Sequence, residues 1–384
     1  MTRRARVGVV GCGMIAQLMH LPYLTELRDR FTTVAVCDRV EDLARRVAAR
    51  FGVPHTYGSC ERMLDAHPDM DAVLVLDRDH FEVALTALER GKHTFTEKPL
   101  CYTEAEARRL VAVSRRTGAK LMVGYMKRHD SGVRRGLEEI GRIEKPLMAR
   151  VHIVVGPDHG NWIVPQVATF DRPAEPVTTP EADGRRPKVL RELGPLGDTV
   201  FTAYMNMFGV WSHDINLYRA AFPGSPDSIK AHVSPDGSVF GALLQYEDGF
   251  RTVVQCGATS VRRFEEELTV WGTDRIVAVN VSNPFLRHTP STVRVTHDDT
   301  AAAVRDASDG TAAAGRACSS AAETLGSVVE QTVSGSYDEP FRAQLRHFHD
   351  CVTTAARPVT SGADALADIH LMTDMIRAAT PGAP

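Results

Sequence analysis

Two kinds of residue in this chain are spaced for chemistry: glycines that bring backbone close to a phosphate, and a lysine and a histidine able to move protons. Gly11-Cys12-Gly13-Met14-Ile15-Ala16 has the spacing G-x-G-x-x-A, directly after an apolar run and before a helical pattern. In that setting Gly11 permits a tight turn, Gly13 lets backbone approach a pyrophosphate, and Ala16 lets helix and strand pack closely. The first N–H groups of the helix, at Met14 and Ile15, and its dipole then meet the phosphates. Asp38 closes the second strand 22 residues after Ala16, where a carboxylate accepts hydrogen bonds from ribose hydroxyls. It repels a 2'-phosphate, which favours NAD. The adjacent Arg39 is able to pair with that phosphate, so NADP stands as the alternative.

The chain has 45 Lys+Arg, of which only seven are lysine, so each lysine raises the question of why arginine does not serve. Lys98, in Glu97-Lys98-Pro99-Leu100, follows an apolar strand and so sits at the carboxyl end of a parallel sheet, where ligands of open α/β sheets bind. An ammonium beside a nicotinamide holds a substrate hydroxyl or carbonyl and carries its proton, and burial near another positive centre brings its pKa toward neutrality. A guanidinium cannot deprotonate. The same four letters recur at Glu144-Lys145-Pro146-Leu147, outside the nucleotide-binding half, and read there as a solvated connection.

The elements that must position these groups follow from periodicity. Strands at Arg6 to Val10, Thr33 to Cys37, Ala72 to Leu76, His93 to Thr96 and Lys120 to Gly124 alternate with helices at Met14 to Leu27, Glu41 to Phe51, Phe81 to Arg90 and Thr103 to Thr117. This rhythm predicts an α/β fold, a doubly wound parallel Rossmann sheet over residues 1–124. After Tyr125 the texture changes to longer alternating strands: Leu147 to Val155, Ser238 to Tyr246, Arg251 to Cys256 and Glu266 to Trp271. They predict a second α+β domain over residues 125–384, built on an open, mostly antiparallel sheet. Residues 156–200 and 300–325 read as long loops. Two amphipathic helices, Pro340 to Thr354 and Gly362 to Ala378, are expected to pack back on the body.

At 384 residues, and roughly 150 residues per domain, two domains of unequal size account for the length. With 48 Asp+Glu the net charge is −3, so no positive field gathers nucleic acid or anionic membrane. No run approaches the roughly 18 to 20 apolar residues of a membrane span. The seven cysteines are scattered without a C-x-x-C pair, which predicts neither disulfide framework nor metal site and fits a reducing cytoplasm.

These motifs, taken in order, resemble the glucose-fructose oxidoreductase / inositol dehydrogenase / MocA (Gfo/Idh/MocA) family. The matching segments are GCGMIA, the Cys37-Asp38 strand end, His80 placed 11 residues before Gly91, EKPL at 97, VGYMKR at 123–128, SHDINL at 212–217 and the terminal HFHDCVTTAARPVTSGADAL. The resemblance implies hydride transfer with sugars, cyclitols or their derivatives, and a homodimer or homotetramer whose contact is the open sheet. It adds Leu76, Asp77, His80 and Glu97 to the cofactor wall. By position Lys98 matches the family's proton-transfer lysine, and His213 matches the histidine of D-x-x-x-H, an acid or base suited to the task by its unperturbed pKa of about 6.5. Tyr125, Lys127, Arg128, Trp162, Tyr204 and Asp214 are candidates for substrate contact. The chain departs from the pattern at Gly209, where the family commonly has Asp, at Val75-Leu76-Asp77 in place of T-P-N, and at His129 in place of Phe. Asp214, Asn216, Asp130, Tyr125 and Tyr204 are candidates to replace the missing carboxylate. Two other activities stay open: transient sugar oxidation by an NAD-retaining enzyme that eliminates, hydrolyses or epimerises, and a redox-sensing binding module.

Overall fold

The computed structural model describes residues 3–156, 184–299 and 327–380. Six short strands, β1 (Ala5–Val10), β2 (Phe31–Cys37), β3 (His55–Tyr57), β4 (Ala72–Val75), β5 (His93–Glu97) and β6 (Leu121–Gly124), form one parallel sheet in the order β3-β2-β1-β4-β5-β6. The order reverses at β1/β4, the switch point beside which doubly wound sheets open a ligand crevice. β1, β4 and β6 are almost wholly buried, as strands covered by helices on both faces must be.

The first helix is not uniform: Ala16–His20 makes a widened, π-type turn before α1 (Leu21–Glu26). The remaining helices of this half are α2 (Glu41–Phe51), α3 (Cys60–Ala66), α4 (Phe81–Glu89) and α5 (Glu104–Thr117). β3 and α3 escape a sequence reading because they are too short, at 3 and 7 residues, to show a period. α5 starts where the Thr103 side chain accepts the Glu106 N–H and stops at left-handed Gly118, the cap chemistry expected of a helix written Thr…Gly.

The second half carries an eight-stranded sheet in the order β14-β13-β12-β11-β7-β10-β9-β8. Its strands are β7 (Pro146–Val155), β8 (Ser228–Val233), β9 (Val239–Gln245), β10 (Arg251–Ala258), β11 (Phe264–Gly272), β12 (Arg275–Asn280), β13 (Thr292–Asp298) and β14 (Val328–Ser334). All neighbours are antiparallel except β7 and β10. One face is covered by α6 (Ser131–Ile140) and α9 (Ser212–Ala221). The expectation of continuous loop over 156–200 is corrected at its end: α7 (Arg186–Leu193) and α8 (Asp198–Asn206) are helical. Pro187 at the first turn of α7 reads as a loop residue in sequence, yet it is suited to a helix start because its missing N–H has no partner to lose.

The last two helices tie the halves together. α10 (Pro340–Thr353) lays Phe341, Leu345, Phe348 and Val352 into the core cluster formed by β1, β4 and α1. Phe348 meets Phe95 of β5 edge-on at 5.5 Å between ring centres. The chain then crosses the edge strand, where Thr360 and Ser361 pair with Val123 and Met122 of β6, before α11 (Gly362–Ala378) packs on α5 and β8. No helix among the described residues is long and apolar enough to cross a membrane.

Candidate active site

The carboxyl ends of β1, β2, β4, β5 and β6 lie along one edge of the parallel sheet, the edge at which open α/β sheets bind ligands. Gly11 has φ of +92°, and a Cβ built on it would stand 2.6 Å from the Asp77 nitrogen and 2.7 Å from the Leu76 carbonyl carbon. The turn therefore presses against the loop after β4, and only glycine fits. Gly13 is the opposite case: a Cβ there meets nothing within 4 Å. The open space lies against the start of the first helix, where Met14 and Ile15 are half-buried. Asp38 accepts the Cys12 N–H on Oδ2 and the Val40 N–H on Oδ1, both at 2.9 Å, which aims the carboxylate while each oxygen keeps a lone pair for a hydroxyl. Arg39 is exposed beside it. Asp77 is pushed up to about 6 by burial, and its Oδ1 is buried without a protein partner. A glycine cradle open at Gly13, an oriented acceptor at Asp38 and an orphaned polar oxygen at Asp77 fit a dinucleotide.

This contrast between the glycines yields a test. Gly13→Ala is expected to leave thermal stability within about 0.5 kcal/mol of wild type while lowering dinucleotide affinity at least tenfold. Calorimetric titration alongside a melting curve checks both, and unchanged affinity would remove the pyrophosphate from this turn.

His80 and Glu97, expected on the cofactor wall, have structural partners. The His80 ring lies 2.6 Å from the Pro99 carbonyl through Nδ1, so that nitrogen carries the hydrogen; burial lowers the pKa and keeps the ring neutral. It holds the turn after Lys98. Glu97 bonds His20 Nε2 at 2.7 Å and accepts the Lys98 N–H at 3.1 Å, with His20 wedged edge-on between Phe95 and Phe341.

Lys98 itself points across to the second half. Its ammonium donates to the carbonyl of Gly209, in a second widened turn, Met207–Trp211, between α8 and α9. Burial lowers its pKa; Glu97 opposes that shift, Lys127 adds to it, and Glu266 and Asp214 oppose it. A Cβ at Gly209 would meet nothing within 4 Å, so glycine leaves open the space in which an aspartate would project. His213, one turn on, packs against the Tyr125 ring edge-on at 5.8 Å. α9 is anchored from behind: Asn216 donates to Asp368 at 2.7 Å, and Arg219 donates to Asp368 at 2.6 Å.

The other expected site residues scatter. Lys127 and Asp214 are buried together, Lys127 in direct contact with Glu266 and 3.8 Å from Asp214. Arg128 turns to Asn216 and Asp364, at 3.3 and 3.6 Å. Tyr204 is fully buried, donates to the Tyr102 carbonyl and stacks on Phe208 at 4.3 Å. Asp130 caps α6 through Gly132 and Val133 and accepts from Ser291. His129 packs on His347, and burial lowers its pKa to about 3. Trp162 lies outside the described residues. Glu266 is absent from the sequence-level candidates, although a signal exists: in Glu265-Glu266-Glu267 the middle carboxylate falls in phase with Leu268 and Val270, the inward face of β11.

Residues 5–125 match the model of the GFO_IDH_MocA oxidoreductase family with an NAD-binding Rossmann fold. Over these residues the chain is similar to the Gfo/Idh/MocA family. Inositol 2-dehydrogenase 3 of Saccharopolyspora erythraea is 37% identical over 186 residues, 47% of this chain and 52% of that protein. Inositol 2-dehydrogenase/D-chiro-inositol 3-dehydrogenase of Shouchella clausii is 39% identical over 151 residues, 38% and 43% of the two chains. The chain thus matches about half the length of these curated relatives. A solved 3-ketoreductase from Actinomadura kijaniata, in complex with NADP and TDP-benzene, shares the fold over 98% of both chains with TM-score 0.70 and 20% identity. UDP-N-acetylglucosamine 3-dehydrogenase from Acidithiobacillus ferrooxidans does so over 98% of both, with TM-score 0.69 and 16% identity. The fold shared with these solved structures extends through the second half of the chain.

Proposed function

We propose that this protein is an NAD(P)-dependent oxidoreductase of the Gfo/Idh/MocA family that moves a hydride between the nicotinamide and a secondary alcohol or ketone carbon of a sugar, cyclitol or sugar derivative. The observation that carries the reading is Lys98, a half-buried side chain at a strand end beside the glycine cradle, whose ammonium is held by the Gly209 carbonyl and whose proton affinity is lowered by desolvation. Gly11, Gly13, Met14, Ile15, Ala16, Asp38 and Asp77 hold the dinucleotide, which supplies the hydride acceptor or donor when bound. NAD is preferred because Asp38 presents its carboxylate at the ribose end; Arg39 is the residue through which NADP would bind.

Lys98 neutral accepts the substrate hydroxyl proton as the carbon is oxidised; Lys98 protonated returns it to the ketone oxygen in reduction. The Gly209 carbonyl aims the ammonium, and His213 contacts the hydroxyl from the opposite wall as a second acid or base. Fixed donors aimed at the oxygen on which charge develops lower the barrier without reorganising. The substrate class is supported by the inositol dehydrogenases among the relatives and by sugar-nucleotide enzymes among the structural neighbours. Met148, Val239 and Val253 stand exposed on the eight-stranded sheet, which supports a homodimer or homotetramer through that face.

The test is absorbance at 340 nm with NAD or NADP and a panel of inositols, aminocyclitols, free sugars and sugar nucleotides. NADH formation with at least one alcohol is expected. The glycine at 209 favours one second reading, an enzyme that retains NAD and oxidises its sugar only transiently; product formed without net NADH would select it.

A further inference from the structure

A buried charge cluster lies outside the glycine turn, in the second half of the chain and the turn after β6. Lys127, on the 3-10 turn Met126–His129 after β6, contacts Glu266 of β11 and faces Asp214 of α9 at 3.8 Å. The side chains are only 4%, 2% and 4% exposed. Three ionisable groups sealed from water are not explained by stability, since apolar residues in their place are usually neutral or stabilising. Their placement offers another explanation. Glu97 and Gly124 are partners across β5 and β6, so Lys98 and the turn carrying Lys127 leave adjacent strand ends. Gly209, which holds the Lys98 ammonium, precedes Asp214 on one continuous run of helix.

We propose that the Lys127–Glu266–Asp214 triad sets the pH range in which Lys98 accepts a proton, Lys127 and Glu266 being positioning residues that act through the field at Lys98. The inference rests on Lys98 as the proton-carrying group of the oxidoreductase. The groups facing Lys98 come from every neighbouring element: Glu97 from its own strand, Lys127 from the β6 turn, Asp214 from α9, Glu266 from β11 and His80 from the loop after β4. Lys127 disfavours a second cation at Lys98, whereas Glu266 and Asp214 favour it. Burial and the Asp214 charge push the Glu266 carboxyl up to about 8, so both carboxyls are ionised above that range, in the alkaline region where a lysine titrates. With both ionised, one positive and two negative charges leave the triad with net charge −1, which supports the ammonium form of Lys98. Removing the Glu266 charge brings the triad to zero. Removing the Lys127 charge as well returns it to −1.

The experiment titrates Lys98 directly in ligand-free protein labelled with carbon-13 lysine. Seven lysines keep the spectrum simple, and Lys98→Ala identifies the signal. Glu266→Gln is expected to lower the Lys98 midpoint by roughly one pH unit, and Lys127→Met/Glu266→Gln to restore the wild-type midpoint. Should Glu266→Gln not fold, Asp214→Asn removes a negative charge from the other side and carries the same expected downward shift. An unmoved midpoint in the single variant, or a further fall in the double, overturns the proposal. The acidic limb of kcat/KM for alcohol oxidation is expected to move with the midpoint. If the midpoint moves as stated but no alcohol reduces NAD, the triad's role stands and the proposed activity falls.

Discussion

Lys98→Ala is expected to lower turnover by about a thousandfold or more, near 4 kcal/mol of transition-state stabilisation, while dinucleotide affinity stays within a few fold. Turnover falls because the ammonium is the half-buried donor that reaches Gly209 of the second half, and a methyl group neither accepts the hydroxyl proton nor stabilises an alkoxide. Binding survives because the cradle is built from Gly11, Gly13 and Asp38 on other strands. Lys98→Arg separates charge from proton transfer. Guanidinium keeps the positive charge but stays protonated at any working pH, so this variant is expected to be nearly as slow. Initial rates at saturating substrate, with calorimetry for the nucleotide, check the pair. Arginine restoring most of the activity would make Lys98 an electrostatic anchor and move the base to His213.

The second large effect belongs to Gly11→Ala. Its φ of +92° excludes an L-residue without strain, and the added carbon would meet backbone atoms of Leu76 and Asp77 at 2.6 to 2.9 Å. Backbone cannot swing aside as a side chain does, so the β4 loop must move. Strain and overpacking together are expected to cost about 3 kcal/mol or more of stability. Displacing Asp77 and the turn also spoils the cradle, with dinucleotide affinity down about a hundredfold. Denaturant unfolding and nucleotide titration read the two effects. Loss of stability with wild-type affinity would detach the β4 loop from nucleotide binding. Gly13→Ala, with its Cβ in open space, isolates the binding effect alone.

Much of the first half was legible because its signals are local. A glycine turn, a strand ending in Asp38 and helices opened by Thr103 and closed by Gly118 depend on residues within one or two turns. Hydrophobic period then fixes strand and helix, and right-handed crossovers leave one topology. The position of Lys98 at a strand end followed in the same way, from the apolar run before it. The open sheet of the second half was equally visible in alternation along β7, β10 and β11, since burial on one face imposes a period of two.

What tertiary structure alone decided is which distant groups meet, because pairing across a domain boundary leaves no local trace. The family resemblance implies a place on the cofactor wall for His80 and Glu97; the fold adds that they hold the Lys98 turn through Pro99 and His20. It offered Asp130 and Tyr204 for the missing aspartate; their oxygens are taken by a helix cap and by Tyr102. Gly209 reads as a lost carboxylate, yet its carbonyl is what holds the lysine. Glu266, 139 residues from the Lys127 it contacts, shows in sequence only as a charge in the apolar phase of a strand. Naming its partners required β11 to be laid against α9 and the β6 turn. Burial strengthens the electrostatics that govern proton transfer, and burial is a property of the assembled core.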